Sequence, residues 1–163
     1  MDQLDVLHTQ ATLTRDGRQY LTFTLGGEEY GVEILKVQEI KGYAPVTPIP
    51  NTPPYVRGVM NLRGAIIPVV DLRAKLGMGE AAPGQFTVII VVRVGPKTVG
   101  LVVDAVSDVL DIPADAIQAA PDFGPQVDAR FISGMARTGD RLVVLLDLDR
   151  ILGAEAAALA ATG

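Results

Sequence analysis

Cysteine is absent from this chain, and histidine and serine are nearly so. Without cysteine there is no disulfide and no thiolate metal site, which fits a reducing compartment such as the cytoplasm. The one histidine, His8, stands in a polar opening stretch, where a lone imidazole is ordinarily solvated. The two serines, Ser107 and Ser133, have no histidine near them in sequence, so a Ser–His nucleophile has no support. There is neither a G-x-G-x-x-G turn nor a phosphate-binding P-loop. Carboxylates are plentiful, but Glu28-Glu29 reads as a turn, and Asp71, Asp147 and Asp149 read as helix starts, where an acid offsets the helix dipole. Four or so converging oxygens would be needed for a carboxylate metal site, and no spacing predicts them. The sequence therefore points to no catalytic residue, no metal and no cofactor.

Long apolar runs and clustered basic residues are also missing. The longest apolar stretch, Thr87 to Val92 with its flanks, stops at Arg93, far short of the ~20 residues that span a bilayer. The opening MDQLDVLHTQ lacks the basic start and apolar block of an export signal. Direct membrane insertion is not expected, and a cytoplasmic location is. Lys and Arg number 14 against 19 Asp and Glu, a net charge of −5, with nothing denser than Arg15 and Arg18. A nucleic-acid partner, which calls for a basic face, is not expected either.

What the chain does contain is β pattern and punctuation. At 163 residues it suits one domain, or two small lobes sharing a core. Asn51 to Gly77 holds two apolar runs, Val56 to Leu62 and Ala65 to Leu72, around a polar tip at Arg63-Gly64. That predicts strand, tight turn, strand and one or two helical turns. Upstream, Leu21, Phe23 and Leu25 alternate within Gln19 to Leu25, Gly26-Gly27 turns the chain, and Glu29 to Ile34 returns. Leu35 to Ile40 carries the helix formers Lys36, Gln38 and Glu39, which favour a short helix. Five prolines between Ala44 and Pro54 predict a stiff, extended connection without regular pairing. Phe86 to Val94 is almost wholly apolar, as in a strand covered on both faces. Lys97 to Ile112 continues β-rich. Pro113 to Val127 reads as a long irregular loop with a helical turn at Ala114 to Ala119, and Phe131 to Leu146 as a last hairpin around Thr138-Gly139-Asp140. Leu148 to Leu152 reads as a short helix.

The pattern repeats. At an offset of 69, Leu21, Phe23 and Leu25 fall on Ile90, Val92 and Val94, Gly31 on Gly100, Ile34 on Val103, and Glu39 on Asp108. At an offset of 76, Gly58 falls on Gly134, Asp71-Leu72 on Asp147-Leu148, and Gly77 on Gly153. The expected fold class is mainly β: two small, similar barrels of about five strands each, packed side by side, with short helices. Residues 1–17 are expected as a flexible arm and 18–153 as one domain. Within it, the first barrel is placed at roughly 18–83 and the second at 84–153, with exchange of strands as an option. Residues 154–163 form an Ala-rich tail.

Two exposed features stand out as binding candidates. Arg63, at a hairpin tip, is either solvated or paired with a nearby carboxylate, the commoner arrangement, or offers its planar fork to a partner. Phe123, in Pro121-Asp122-Phe123-Gly124-Pro125, either plugs a barrel mouth or anchors an interface. Val37 and Ile40 either face the core, the default, or line a groove between barrels.

Three segments, EEYGVEILKVQEIKGY, IPNTPPYVRGVMNLRGAIIPVVDLRAKLG and VGLVVDAVSDVL, together resemble the CheW family of bacterial chemotaxis coupling proteins, in the right order and over about Gln19 to Gly153. The resemblance implies two SH3-like five-stranded barrels and a non-catalytic adaptor. It implies as partners the cytoplasmic tip of methyl-accepting chemoreceptors, the regulatory domain of a chemotaxis histidine kinase, and other copies of the chain in array rings. It implies a cytoplasmic protein recruited to membrane-associated receptor arrays. It places Ile34, Val37, Glu39, Ile40, Arg57, Asn61 and Arg63 at the receptor site, and Gln118, Asp122 and Phe123 at the kinase contact. The length favours a stand-alone coupler over a fusion. The alternatives are a CheW-like scaffold in a non-flagellar chemosensory pathway and a peptide-binding β-barrel module.

Overall fold

The alternation around Gln19 to Leu25 becomes strand β1 (Gly17–Leu25), which turns at Gly26-Gly27 into β2 (Glu28–Glu33). The structure is a computed structural model that describes residues 17–79, 83–119 and 131–152. The expected arm, the Ala-rich tail, Asp122 and Phe123 lie outside the described residues. A 3-10 turn, Ile34–Lys36, leads into β3 (Val37–Gly42), where a short helix is expected from Leu35 to Ile40. The helix does not form because its propensity is worth only tenths of a kcal/mol per residue. A strand ladder along a neighbouring apolar strand outweighs that. The hairpin β4 (Val56–Leu62) and β5 (Ala65–Asp71) follows, with the short helix Leu72–Lys75 at its end.

The second half repeats the order. Strands β6 (Val88–Val94) and β7 (Lys97–Val103) form a hairpin, and β8 (Ala105–Pro113) follows. The helical turn expected at Ala114 to Ala119 is a single 3-10 turn, Ala114–Ala116, and the chain then forms the short strand β9 (Ile117–Gln118). Strands β10 (Ile132–Thr138) and β11 (Arg141–Leu146) make the last hairpin, and a helix covers 148–152.

Two sheets result, ordered β8-β1-β2-β11-β10-β9 and β3-β6-β7-β5-β4. Pairing is antiparallel except at β2–β11 and β5–β7. The halves are interleaved rather than cut near residue 83. The first hairpin, β1–β2, sits with β8 to β11, and the later hairpin, β6–β7, sits with β3 to β5. The cause is visible in the side chains. Strand β6 is apolar on both faces: Ile89 and Val91 fill the interior of its own sheet, while Ile90, Val92 and Val94 enter a core shared with the other sheet. Strand β1 does the same, sending Tyr20 inward and Leu21, Phe23 and Leu25 into the shared core. Such strands are stable only when covered twice.

The repeat is therefore a structural one. Every pair matched at offset 69 between β1 and β6 meets in the shared core, and so do Val70, Leu72, Leu146 and Leu148, matched at offset 76. The parallel contact recurs as well: Gly31 lies opposite Leu145, and Gly100 opposite Val69. Lys36 of the first half donates to Asp149 of the second at 2.8 Å. The proline-rich segment carries no regular strand, but it is not extended throughout: it turns at Pro50-Asn51, where Asn51 has φ 64°, and again at Pro54-Tyr55, and Thr47, a non-proline with its N–H available, exchanges two 2.9 Å hydrogen bonds with Val59 on β4.

Candidate functional site: the β3 edge and the β4–β5 hairpin

Strands β3 and β4 are the two edges of one sheet, and an ion pair links β3 to the turn that follows β4. Leu62 and Ala65 close a two-residue turn in which Arg63 (φ 51°) and Gly64 (φ 90°) both take left-handed backbone. That turn type matches the twist of the strands and suits glycine second. The side-chain carbonyl of Asn61 accepts from the Gly64 N–H at 2.8 Å and fixes the loop. Held there, Arg63 donates from Nη2 to Oε2 of Glu39 on β3. Arg63 remains largely exposed while the Glu39 side chain is mostly covered.

Exposed aliphatic residues lie on the same and neighbouring elements. Ile40 lies opposite Ile90, on the face that runs into the shared core, yet is 38% exposed at the rim. Ile66, opposite Asn61 on the outer face of the hairpin, is 65% exposed. Leu35, in the 3-10 turn, is also exposed. Arg57, on β4, donates to Oδ2 of the buried Asp71 at 2.5 Å. Asp71 also caps the helix Leu72–Lys75, its Oδ1 accepting from the N–H groups of Arg73 (3.0 Å) and Ala74 (3.4 Å). The arrangement offers a rim of aliphatic and charged groups to a macromolecular partner.

At the far end of the other sheet, a cavity of about 630 Å³ is lined by Ala116, Gln118, Ala119, Met135, Arg137 and Leu142. Its exposed Leu142 occupies the position that Ile66 holds in the first half, 76 residues earlier. At the mouth of that sheet, Arg141 forks onto Glu29 and lies 3.7 Å from Asp108, the counterpart of Glu39. The Arg141 guanidinium holds the Glu29 carboxyl below its usual range, against an opposing push from burial. No helix among the described residues is long and apolar enough to cross a membrane.

The CheW-like domain family matches residues 19–156. The chain belongs to the CheW family. It is 46% identical to the chemotaxis protein CheW of Klebsiella aerogenes, over 88% of this chain and 86% of that one. It is 43% identical to the CheW of Rhizobium meliloti, over 88% and 92%. The crystal structure of the scaffolding protein TtCheW from Thermoanaerobacter tengcongensis superposes with a TM-score of 0.77 at 33% identity, covering 86% of this chain and 90% of that one. The fold is accordingly mainly β, two SH3-like barrels side by side, in a scaffold family of chemotaxis.

Within this CheW-like domain, the residues singled out in the sequence divide. Glu39 and Arg63 meet directly, Asn61 shapes their turn, and Ile40 stands at the rim. Ile34 and Val37 do not belong with them: at 1% and 0% exposure both are packed in the shared core, because the 3-10 turn and the start of β3 point them inward. Their place on a contact surface is corrected to a core role. Gln118 is exposed and lines the cavity on the opposite barrel, away from the Arg63 hairpin in the sheet order. Asp122 and Phe123 fall outside the described residues. Sequence reasoning missed Ile66, Met135, Arg137 and Leu142. The signal for Ile66 was present, since adjacent Ile66 and Ile67 on one strand must face opposite sides. The 76-residue offset then leads from Ile66 to Leu142.

Proposed function

We propose that this chain is a non-catalytic adaptor that couples the cytoplasmic tip of methyl-accepting chemoreceptors to a chemotaxis histidine kinase, in arrays at the membrane. The observation that carries the reading is membership of the CheW family over nearly the whole domain. Glu39, Ile40, Arg57, Asn61 and Arg63 form the receptor side. A receptor tip is a helical hairpin, and an aliphatic rim with a charged pair complements one apolar helix face with polar flanks. Gln118, which lines the cavity on the opposite barrel, serves the kinase regulatory domain and other copies of the chain in array rings, together with Asp122 and Phe123. Gln118 and the Arg63 hairpin stand in different sheets, which suits a bridge that must hold both partners at once.

The test is calorimetric titration of the full chain into the regulatory domain of the histidine kinase from the same organism, followed by receptor-dependent kinase activation. Saturable 1:1 binding and restored activation are the expected results. Absence of heat with a folded sample counts against the coupling role. Phe123→Ala separates anchor from plug: an anchor loses kinase affinity at little cost in stability, whereas a buried Phe loses ~3 kcal/mol of folding free energy.

A further inference from the structure

The two halves of the repeat provide a control for one another, and they differ at one informative place. Strands β4 and β10 each carry a bulge just before the matched glycines Gly58 and Gly134, and the residue left unpaired is Arg57 in the first and Ser133 in the second. A bulge turns an extra side chain away from the ladder. Both glycines are required by close approach: a Cβ at Gly58 would stand 2.1 Å from the Thr47 carbonyl oxygen, and one at Gly134 2.5 Å from Ile117. The helix caps match too. Oδ1 of Asp71 accepts from Arg73 N–H and Ala74 N–H, and Oδ1 of Asp147 from Arg150 N–H at 3.2 Å.

What does not match is the second carboxylate oxygen. Oδ2 of Asp71 receives Arg57 Nη2 at 2.5 Å, and the Asp71 side chain is only 4% exposed. The Asp147 side chain is 30% exposed, with its own helix neighbour Arg150 at 3.5 Å instead. The second half shows that the bulge, the glycine and the capped helix need no arginine at this position. We infer that Asp71 is a positioning residue: its buried carboxylate grips the Arg57 guanidinium and holds the partly exposed side chain at a fixed place on β4, at the open end of the hairpin whose tip carries Arg63, for contact with the receptor tip. The inference rests on the adaptor reading above. A buried charge-assisted hydrogen bond is short and directional, and a binding group held by a rigid support recognises its partner better than one on a loose stem.

The test uses the full chain and a soluble fragment of the receptor's helical-hairpin tip. Asp71→Asn keeps a capping oxygen, since Asn is as good an N-cap as Asp, and removes the charge that grips Arg57. Asp71→Ser is a second variant with a capping oxygen. Receptor-fragment affinity is expected to fall about tenfold in Asp71→Asn, the scale of a lost charge-assisted hydrogen bond. Affinity for the kinase regulatory domain is expected to stay at its wild-type value. In an Arg57→Gln background, which removes the guanidinium that Asp71 holds, adding Asp71→Asn should change receptor affinity by less than about twofold, because the two residues act as one unit. A helix-stabilising role alone would leave the two steps additive and would weaken both partners together; that result overturns the inference. So does wild-type receptor affinity in both Asp71 variants while the wild-type chain binds. If the wild-type chain itself fails to bind the fragment, the adaptor reading falls first and the inference with it.

Discussion

Arg63 at the tip of the β4–β5 hairpin is paired with Glu39 on β3, so the guanidinium offered by the turn already has a carboxylate. The pair ties the edge strand β3 to the tip of the β4–β5 hairpin. A partner that takes Arg63 must share it with Glu39 or displace Glu39. Arg63→Glu puts two carboxylates at that contact. It is expected to weaken receptor-dependent kinase activation while costing less than ~1 kcal/mol of stability, because an exposed ion pair contributes little. The swap Glu39→Arg with Arg63→Glu restores the attraction with its polarity reversed. Melting temperature should recover in the swap, and activation should not. Recovery of both would mean that the pair only braces the barrel.

The parallel contacts make a second prediction. A Cβ on Gly100 would lie 2.9 Å from Cγ2 of Ile89, a fully buried side chain. At Gly31 the nearest atom is the Leu145 Cδ2 at 3.1 Å. Neither glycine has left-handed backbone, so the cost is crowding alone. Gly100→Ala should destabilise by ~1–3 kcal/mol, the range for overpacking a filled core, and Gly31→Ala by less. Urea denaturation of both variants checks the order. Equal stabilities would show that the two barrels absorb an extra methyl alike.

Much of this architecture was legible because apolar alternation reports burial directly. Leu21, Phe23 and Leu25 declared one face of β1, and the consecutive apolar residues Val88 to Val92 declared two faces of β6. The β3 segment reads as helix from local pattern because Lys36, Gln38 and Glu39 favour it, while the deciding partner, β6, lies some fifty residues away in the chain. Which side of β3 is core depends on a bulge between Val37 and Glu39, and no local pattern announces a bulge. That is why Val37 and Ile40 could not be separated beforehand, although one is buried and the other is at the rim. Asp71 was legible as a helix start. Its grip on Arg57 was not, because the two are joined only by the register of a hairpin with its own bulge.

Exposed aliphatic residues give a third prediction. Ile66 stands on the outer face of its hairpin with no core to fill, so Ile66→Ser should shift stability by no more than ~0.5 kcal/mol, as for surface positions generally. If the outer face touches a partner, the same change lowers affinity for that partner. Parallel titrations against the receptor fragment and the kinase regulatory domain identify which. Ile67→Ser, one residue on and buried against Met60 and Leu62, serves as the contrast and should destabilise strongly. Wild-type affinity for both partners in Ile66→Ser would remove the hairpin's outer face from the contact surface.

The Glu29–Arg141 pair sets a pH dependence on one barrel. Arg141 donates to Glu29 through Nε at 2.9 Å and through Nη2, joining β2 to β11 at their parallel contact. The hydrogen bond from Arg141 is the largest influence on Glu29 and lowers its pKa below the ordinary 4.5; burial opposes it, and the Thr22 hydrogen bond adds to the lowering. A carboxyl whose folded pKa lies below its unfolded value stabilises the fold above the unfolded value. That contribution is lost as pH falls through the folded one. The pair should therefore contribute fully at neutral pH and fade below about pH 4.5. Arg141→Met removes the largest cause of the lowering and leaves burial and Asp108, which raise the Glu29 pKa, opposed by the Thr22 hydrogen bond alone. The wild-type advantage over Arg141→Met in urea midpoint should be largest near pH 7 and shrink by pH 3, the sign set by Glu29 taking up its proton. An advantage that grows on acidification would contradict the assignment. An advantage that stays constant would mean that Arg141 supports the barrel through its aliphatic stem rather than its charge.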